Sequence, residues 1–117
     1  MIMHALLPVT AHIALWRDEI HSRPGTMPGT IRFSGCVYNV RAFAETTTGT
    51  PDAPAEHDVW TRLQRAHGHV YTVRFRFTPA DPAGDWTVAG IYATACGHKP
   101  DPYAPPVASN LPSFFVK

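Results

Sequence analysis

Residues 66–86 read Ala66-His67-Gly68-His69-Val70-Tyr71-Thr72-Val73-Arg74-Phe75-Arg76-Phe77-Thr78-Pro79-Ala80-Asp81-Pro82-Ala83-Gly84-Asp85-Trp86. The middle of this stretch alternates. Tyr71, Val73, Phe75 and Phe77 fall on one side, and Val70, Thr72, Arg74 and Arg76 on the other, which is the period of a half-buried strand. The Pro/Asp/Gly cluster that follows is turn chemistry, and residues 86–95 read as the next strand. The expectation is a β-hairpin with two histidines at its entry. His67 and His69 are two apart, so on a regular strand both rings leave one face and can grip one metal ion, zinc being a common partner of neutral imidazole.

Working outward, residues 10–21 place Ile13, Trp16 and Ile20 at helical spacing against polar Arg17, Asp18 and Glu19, with Thr10 as N-cap. Arg23-Pro24-Gly25 stops this expected helix. Residues 30–45 are rich in β-formers, with Gly35 marking a bulge. Residues 46–54 read as a loop. Residues 55–66 read as a short helix with Val59, Leu63 and Ala66 on one face, capped near Asp52. After Ala95 the chain is proline-rich, and residues 111–116 are apolar enough to dock. These pieces divide the chain into an N-terminal helical extension (1–26), an α+β core (27–99) and a proline-rich C-terminal arm (100–117).

Composition sets bounds. At 117 residues the chain is one domain, and an apolar fraction of 44% argues against disorder. A net charge of +1 gives no electrostatic footprint for nucleic acid or an anionic membrane. Seven histidines favour metal or proton chemistry. Two cysteines, Cys36 and Cys96, do not make a disulfide scaffold and read as small buried side chains. The first twenty residues lack a basic leader and are broken by Pro8, so they do not read as a signal peptide, and no run approaches a membrane span. The expected location is cytoplasmic.

His67-Gly68-His69-Val70-Tyr71-Thr72-Val73 with Asp81-Pro82-Ala83-Gly84 resembles the H-G-H-N-Y-x-V strand and D-P-x-T-G turn of the 6-pyruvoyl-tetrahydropterin synthase and 6-carboxytetrahydropterin synthase family. Pro106-Val107-Ala108-Ser109-Asn110-Leu111 is similar to that family's P-T-A-E-N-L segment, and His98-Lys99 to its L-D-H-K. The resemblance implies an α+β fold of the T-fold kind, with an antiparallel sheet, one or two helices on one face, and closure by homo-oligomerisation. It implies a zinc-dependent lyase acting on a dihydropterin triphosphate, with the metal as Lewis acid. His67 and His69 would hold Zn2+. The third ligand is open between His57, Glu45 and Cys36, because Thr47 stands where the family has its third histidine. The family cysteine is missing from residues 60–65, so Cys36 or Cys96 would carry protons, with His98 matching the family's catalytic histidine although Gly97 replaces its aspartate. Ser109 stands where the family motif has an acid.

Two other readings stay open. One is a catalytically impaired module that binds a pterin or purine ring. The other is a structural or oligomerisation domain, stapled by zinc through the two pairs His67/His69 and Cys96/His98. With the resembled family's usual helix and final strand absent, the N-terminal helix is expected to cover a bare part of the sheet, and open edges to invite a second copy.

Overall fold

The computed structural model describes residues 8–47 and 57–117. The readings of the leader, of residues 48–54 and of the Asp52 cap lie outside the described residues. The described chain is all-β: β1 (Ala11–Leu15), β2 (Glu19–Ile20), β3 (Gly25–Phe33), β4 (Val37–Thr46), β5 (His57–Arg62), β6 (Gln64–His67), β7 (Val70–Phe77), β8 (Gly84–Ala95) and β9 (Ser113–Val116). Sheet I has the order β1-β3-β7-β6 and sheet II the order β2-β9-β8-β4-β5. All pairs are antiparallel except β2 with β9.

The α+β expectation is therefore corrected: no helix occurs among the described residues. Residues 10–21 are strand, bend and strand. Ala11, Ile13 and Leu15 point inward at period two while His12 and Ala14 are exposed, and this alternation prevails over the coincidental helical spacing of Ile13, Trp16 and Ile20. Residues 57–67 likewise form β5 and β6, with Val59, Thr61 and Leu63 turned inward or half inward. The expected hairpin is also different. β7 and β8 both exist, with the expected faces on β7, but they do not pair. Residues 78–83 carry the chain from sheet I to sheet II. Asp81 shapes that crossing by accepting from the Thr78 backbone N–H at 2.7 Å, and Pro82 accepts from the Trp86 indole N–H at 3.0 Å.

The two sheets contribute to one shared core. Met27, Ile31 and Phe33 of β3 and Tyr71, Val73, Phe75 and Phe77 of β7 face Val37, Ala42, Trp86, Val88, Ile91, Phe114 and Val116 of sheet II. Phe77 sits at the seam, edge-on to Trp86 at 4.9 Å and to Phe114 at 5.7 Å. Residues 107–110 protect the outer edge of β1. The Asn110 side chain accepts from the Ile13 N–H at 3.0 Å and donates to the Ile13 carbonyl at 2.9 Å, and the Ser109 N–H donates to Ala11. The proline-rich arm thus ends by shielding an edge strand and supplying β9.

One polar contact ties the sheets inside the core. The buried Tyr71 hydroxyl donates to the Val37 carbonyl at 2.8 Å and accepts from Arg65 at 2.8 Å. Arg65 also reaches the Val37 carbonyl directly. Because that carbonyl keeps Arg65 as a donor, Tyr71→Phe is expected to cost only about 1 kcal/mol of stability in urea unfolding.

Candidate binding cleft

The outer face of sheet II carries a patch built by two irregularities. In β4 the register with β8 shifts between Tyr38 and Arg41, and Asn39 has a positive φ of 52°. Asn tolerates that left-handed conformation better than most residues. The extra residue changes phase, so Val37 and Val40 both point inward and Arg41 points out. The expected bulge thus falls at Asn39; Gly35 lies in the bend between β3 and β4. A second shift between Phe43 and Ala44 resets β8, so Ile91 is buried and Tyr92 half-exposed on the outside.

Arg41 pairs with Arg62, Phe43 with Trp60, and Glu45 with Asp58 across β4 and β5. Like thus faces like along this ladder: cation on cation, ring on ring, acid on acid. Like charges directly opposite are unfavourable in an antiparallel pair. Trp60 stacks on Phe43 at 4.4 Å, and the Arg41 guanidinium lies 5.2 Å from the Trp60 ring and 5.4 Å from Tyr92. Gly90 makes room for this row, because a Cβ there would meet Phe43 at 2.6 Å and Tyr92 at 2.9 Å. Trp60 nevertheless stays 49% exposed on the edge strand.

Over this face runs the proline-rich segment 100–105, leaving a cleft of about 580 Å³ whose walls include Arg41, Trp60, Arg62, Tyr92, Pro100 and Asp101. A smaller hollow of about 210 Å³ adjoins it, lined by His98 and Lys99. Among the described residues neither Arg41 nor Arg62 has a carboxylate partner. The segment is anchored at its start. Cys36 and Cys96 are joined in a disulfide with a Cα–Cα distance of 5.4 Å, and the Tyr38 hydroxyl donates to the His98 carbonyl. Both cysteines are exposed, at the entry of β4 and the exit of β8. The reading of them as buried, unpaired side chains is corrected, and neither sulfur carries a thiol.

The other expected site residues lie apart. His67 ends β6, and Gly68-His69 is the two-residue turn into β7, with His67 opposite Val70. The pair therefore spans a tight turn, with a positive φ of 55° at Gly68, and not a regular strand. His57 opens β5 opposite Thr46. That is the far end of β4 from Val37, about 30 Å away at the rise of an extended strand. The His69 carbonyl accepts from Phe33 at 2.9 Å, placing the turn at the Val37 end. Glu45 faces Asp58 on the outer sheet. Among the described residues no three His, Cys, Asp or Glu side chains are grouped to hold a metal. Of the expected residues, His98 comes nearest the cleft, lining the smaller hollow that adjoins it.

Arg41, Trp60, Arg62 and Tyr92 were not among the expected site residues. The signal was present as Arg41-x-Phe43-x-Glu45 and Asp58-x-Trp60-x-Arg62, which match in antiparallel order once both are read as strands. Comparison of the chain with family models, curated proteins and solved structures finds no match.

Proposed function

We propose that this protein is a binding module for an anionic ligand carrying a flat ring, of the purine or pterin nucleotide kind, held in the cleft of sheet II. The observation that carries this reading is the pair of facing arginines, without carboxylate partners among the described residues, beside a half-exposed indole and a phenol. Two guanidiniums on adjacent strands attract a polyphosphate, and an aromatic platform stacks a ring. Lys99 in the adjoining hollow adds a third cation for a longer phosphate chain. The lyase reading needs His67, His69 and a third side chain on one ion, and the geometry gives it no such grouping among the described residues.

The Cys36–Cys96 bond bears on location. Disulfides persist in oxidising compartments and are rare in the reducing cytoplasm. We therefore favour an oxidising compartment over the cytoplasmic one expected from sequence. No helix among the described residues is long and apolar enough to cross a membrane.

Titration of the oxidised full chain with guanosine triphosphate and dihydroneopterin triphosphate, read by calorimetry, tests the module. Both are expected to bind, and guanosine alone more weakly. Trp60→Ala is expected to weaken binding roughly tenfold through lost stacking. Arg41→Gln with Arg62→Gln is expected to remove the preference for the phosphorylated forms. No heat from either ligand, or affinity that survives both changes, would overturn the proposal.

A further inference from the structure

The opposite side of the molecule carries a second charged surface. Along the outer face of sheet I, His12 and Ala14 stand on β1, Thr26, Thr30 and Arg32 on β3, and Thr72, Arg74 and Arg76 on β7. Gln64 continues the Thr30–Thr72 row on β6. No acid occupies an outward position of this sheet. Arg32, Arg74 and Arg76 are exposed, and none has an ion-pair or hydrogen-bond partner among the described residues. Trp16 completes the face. It is 55% exposed, its indole N–H donates to the Thr30 hydroxyl at 2.8 Å, and the Arg74 guanidinium lies 5.9 Å from its ring.

We propose that this face binds an extended single-stranded nucleic acid. Arg74 and Arg76 are two residues apart on one side of β7, about 6.6 Å along the strand, a repeat that suits successive phosphates of an unstacked chain. The Thr26 hydroxyl opposite Arg76, and the Thr30–Thr72 row between Arg74 and Arg32, offer hydrogen bonds to phosphate and sugar oxygens. Trp16 supplies the stacking platform that sequence-tolerant single-strand binders combine with a basic track. A lipid surface would also attract the arginines and accept an indole, but it offers no phosphate repeat in register with the Arg74–Arg76 spacing. The net charge of +1 conceals this surface because no acid stands on the strands of sheet I: among the described residues Glu45 and Asp58 are on sheet II, Asp81 and Asp85 around the 78–83 crossing, Asp101 in the proline-rich segment, and Asp18 and Glu19 at the entry of β2. Distribution, and not the sum, sets the local field.

Fluorescence anisotropy of a labelled oligothymidine with the oxidised full chain, across a potassium chloride series, tests it. Three phosphate contacts predict a slope of log affinity against log salt of about −2. Arg74→Ala with Arg76→Ala should reduce the slope to about −0.7. Trp16→Ala should weaken binding roughly five- to a hundredfold with the slope unchanged. Phe115→Ala, on the outer face of sheet II and outside the cleft, should leave binding at the wild-type level. If the double arginine variant fails to fold, Arg32→Gln reads the same loss as a slope change of about 0.7. Absence of binding at low salt, a slope that the arginine changes leave unaltered, or tighter binding to phosphatidylserine vesicles than to oligothymidine would overturn the proposal.

Discussion

Replacing Cys36 and Cys96 together by serine is expected to lower the unfolding free energy by about 4 kcal/mol. The bond closes a loop across 60 residues of sequence, and in the chain-entropy account a loop of that size takes much of the freedom out of the unfolded chain. For a domain of this length the melting temperature should fall by roughly 15 °C. Dithiothreitol should move the wild type by the same amount and leave the double serine variant where it is. Thiol titration of the unfolded, unreduced protein should find no free sulfhydryl. Two free thiols, or a melt indifferent to reductant, would contradict the pairing. A consequence for the cleft follows. The Cys96 backbone N–H already donates to the Cys36 carbonyl at 3.0 Å, so β8 leaves the sheet at a fixed point, and the wall over Arg41 and Tyr92 starts from there.

Phe77→Ala is expected to cost about 3–5 kcal/mol. Phe77 is buried, and its ring touches Trp86 of β8 and Phe114 of β9 from the last residue of β7. Its loss leaves a cavity exactly where neither sheet can close in independently, since the 78–83 crossing begins one residue later. Chemical denaturation should show a lower midpoint with an unchanged slope. The contrast is Trp60→Ala, a larger truncation on an exposed edge, which should stay within about 1 kcal/mol of wild type. A Phe77→Ala protein as stable as Trp60→Ala would mean that the two sheets do not pack through this seam.

The strands of the core were legible where apolar residues alternate with polar ones. Residues 70–77 showed their inward and outward faces directly, because Arg74 and Arg76 leave no other phase. What the sequence left hidden was pairing. A run of Pro79, Asp81, Pro82 and Gly84 marks a reversal equally well whether the chain returns beside itself or crosses to a second sheet, and here it crosses. Residues 10–21 misled because β1 is short and followed by a bend. Trp16 then falls three residues after Ile13, and Ile20 four after Trp16, by accident of that break. In residues 57–67, Val59 and Leu63 are four apart, which suits a helix, yet they are also even steps on a strand whose outward members are Trp60 and Arg62. The disulfide had no local signal, since its partners are far apart in sequence and meet only because β4 and β8 pair. The cleft was hidden for a related reason: it needs the phase shift at Asn39, which the alternation rule reads in the wrong sense. His67 and His69 drew attention as a pair, but Gly68-His69 is a two-residue turn, so the regular strand that carries His67 stops there.

The most direct measurement of the central claim is a map of backbone amide shifts on adding guanosine triphosphate to the isotopically labelled, oxidised chain. Shifts are expected to concentrate at Arg41, Trp60, Arg62 and Tyr92 and to extend through residues 98–105, with the Trp60 indole N–H among the largest. Shifts confined to the His67–His69 turn, or a spectrum that does not change, would contradict that claim.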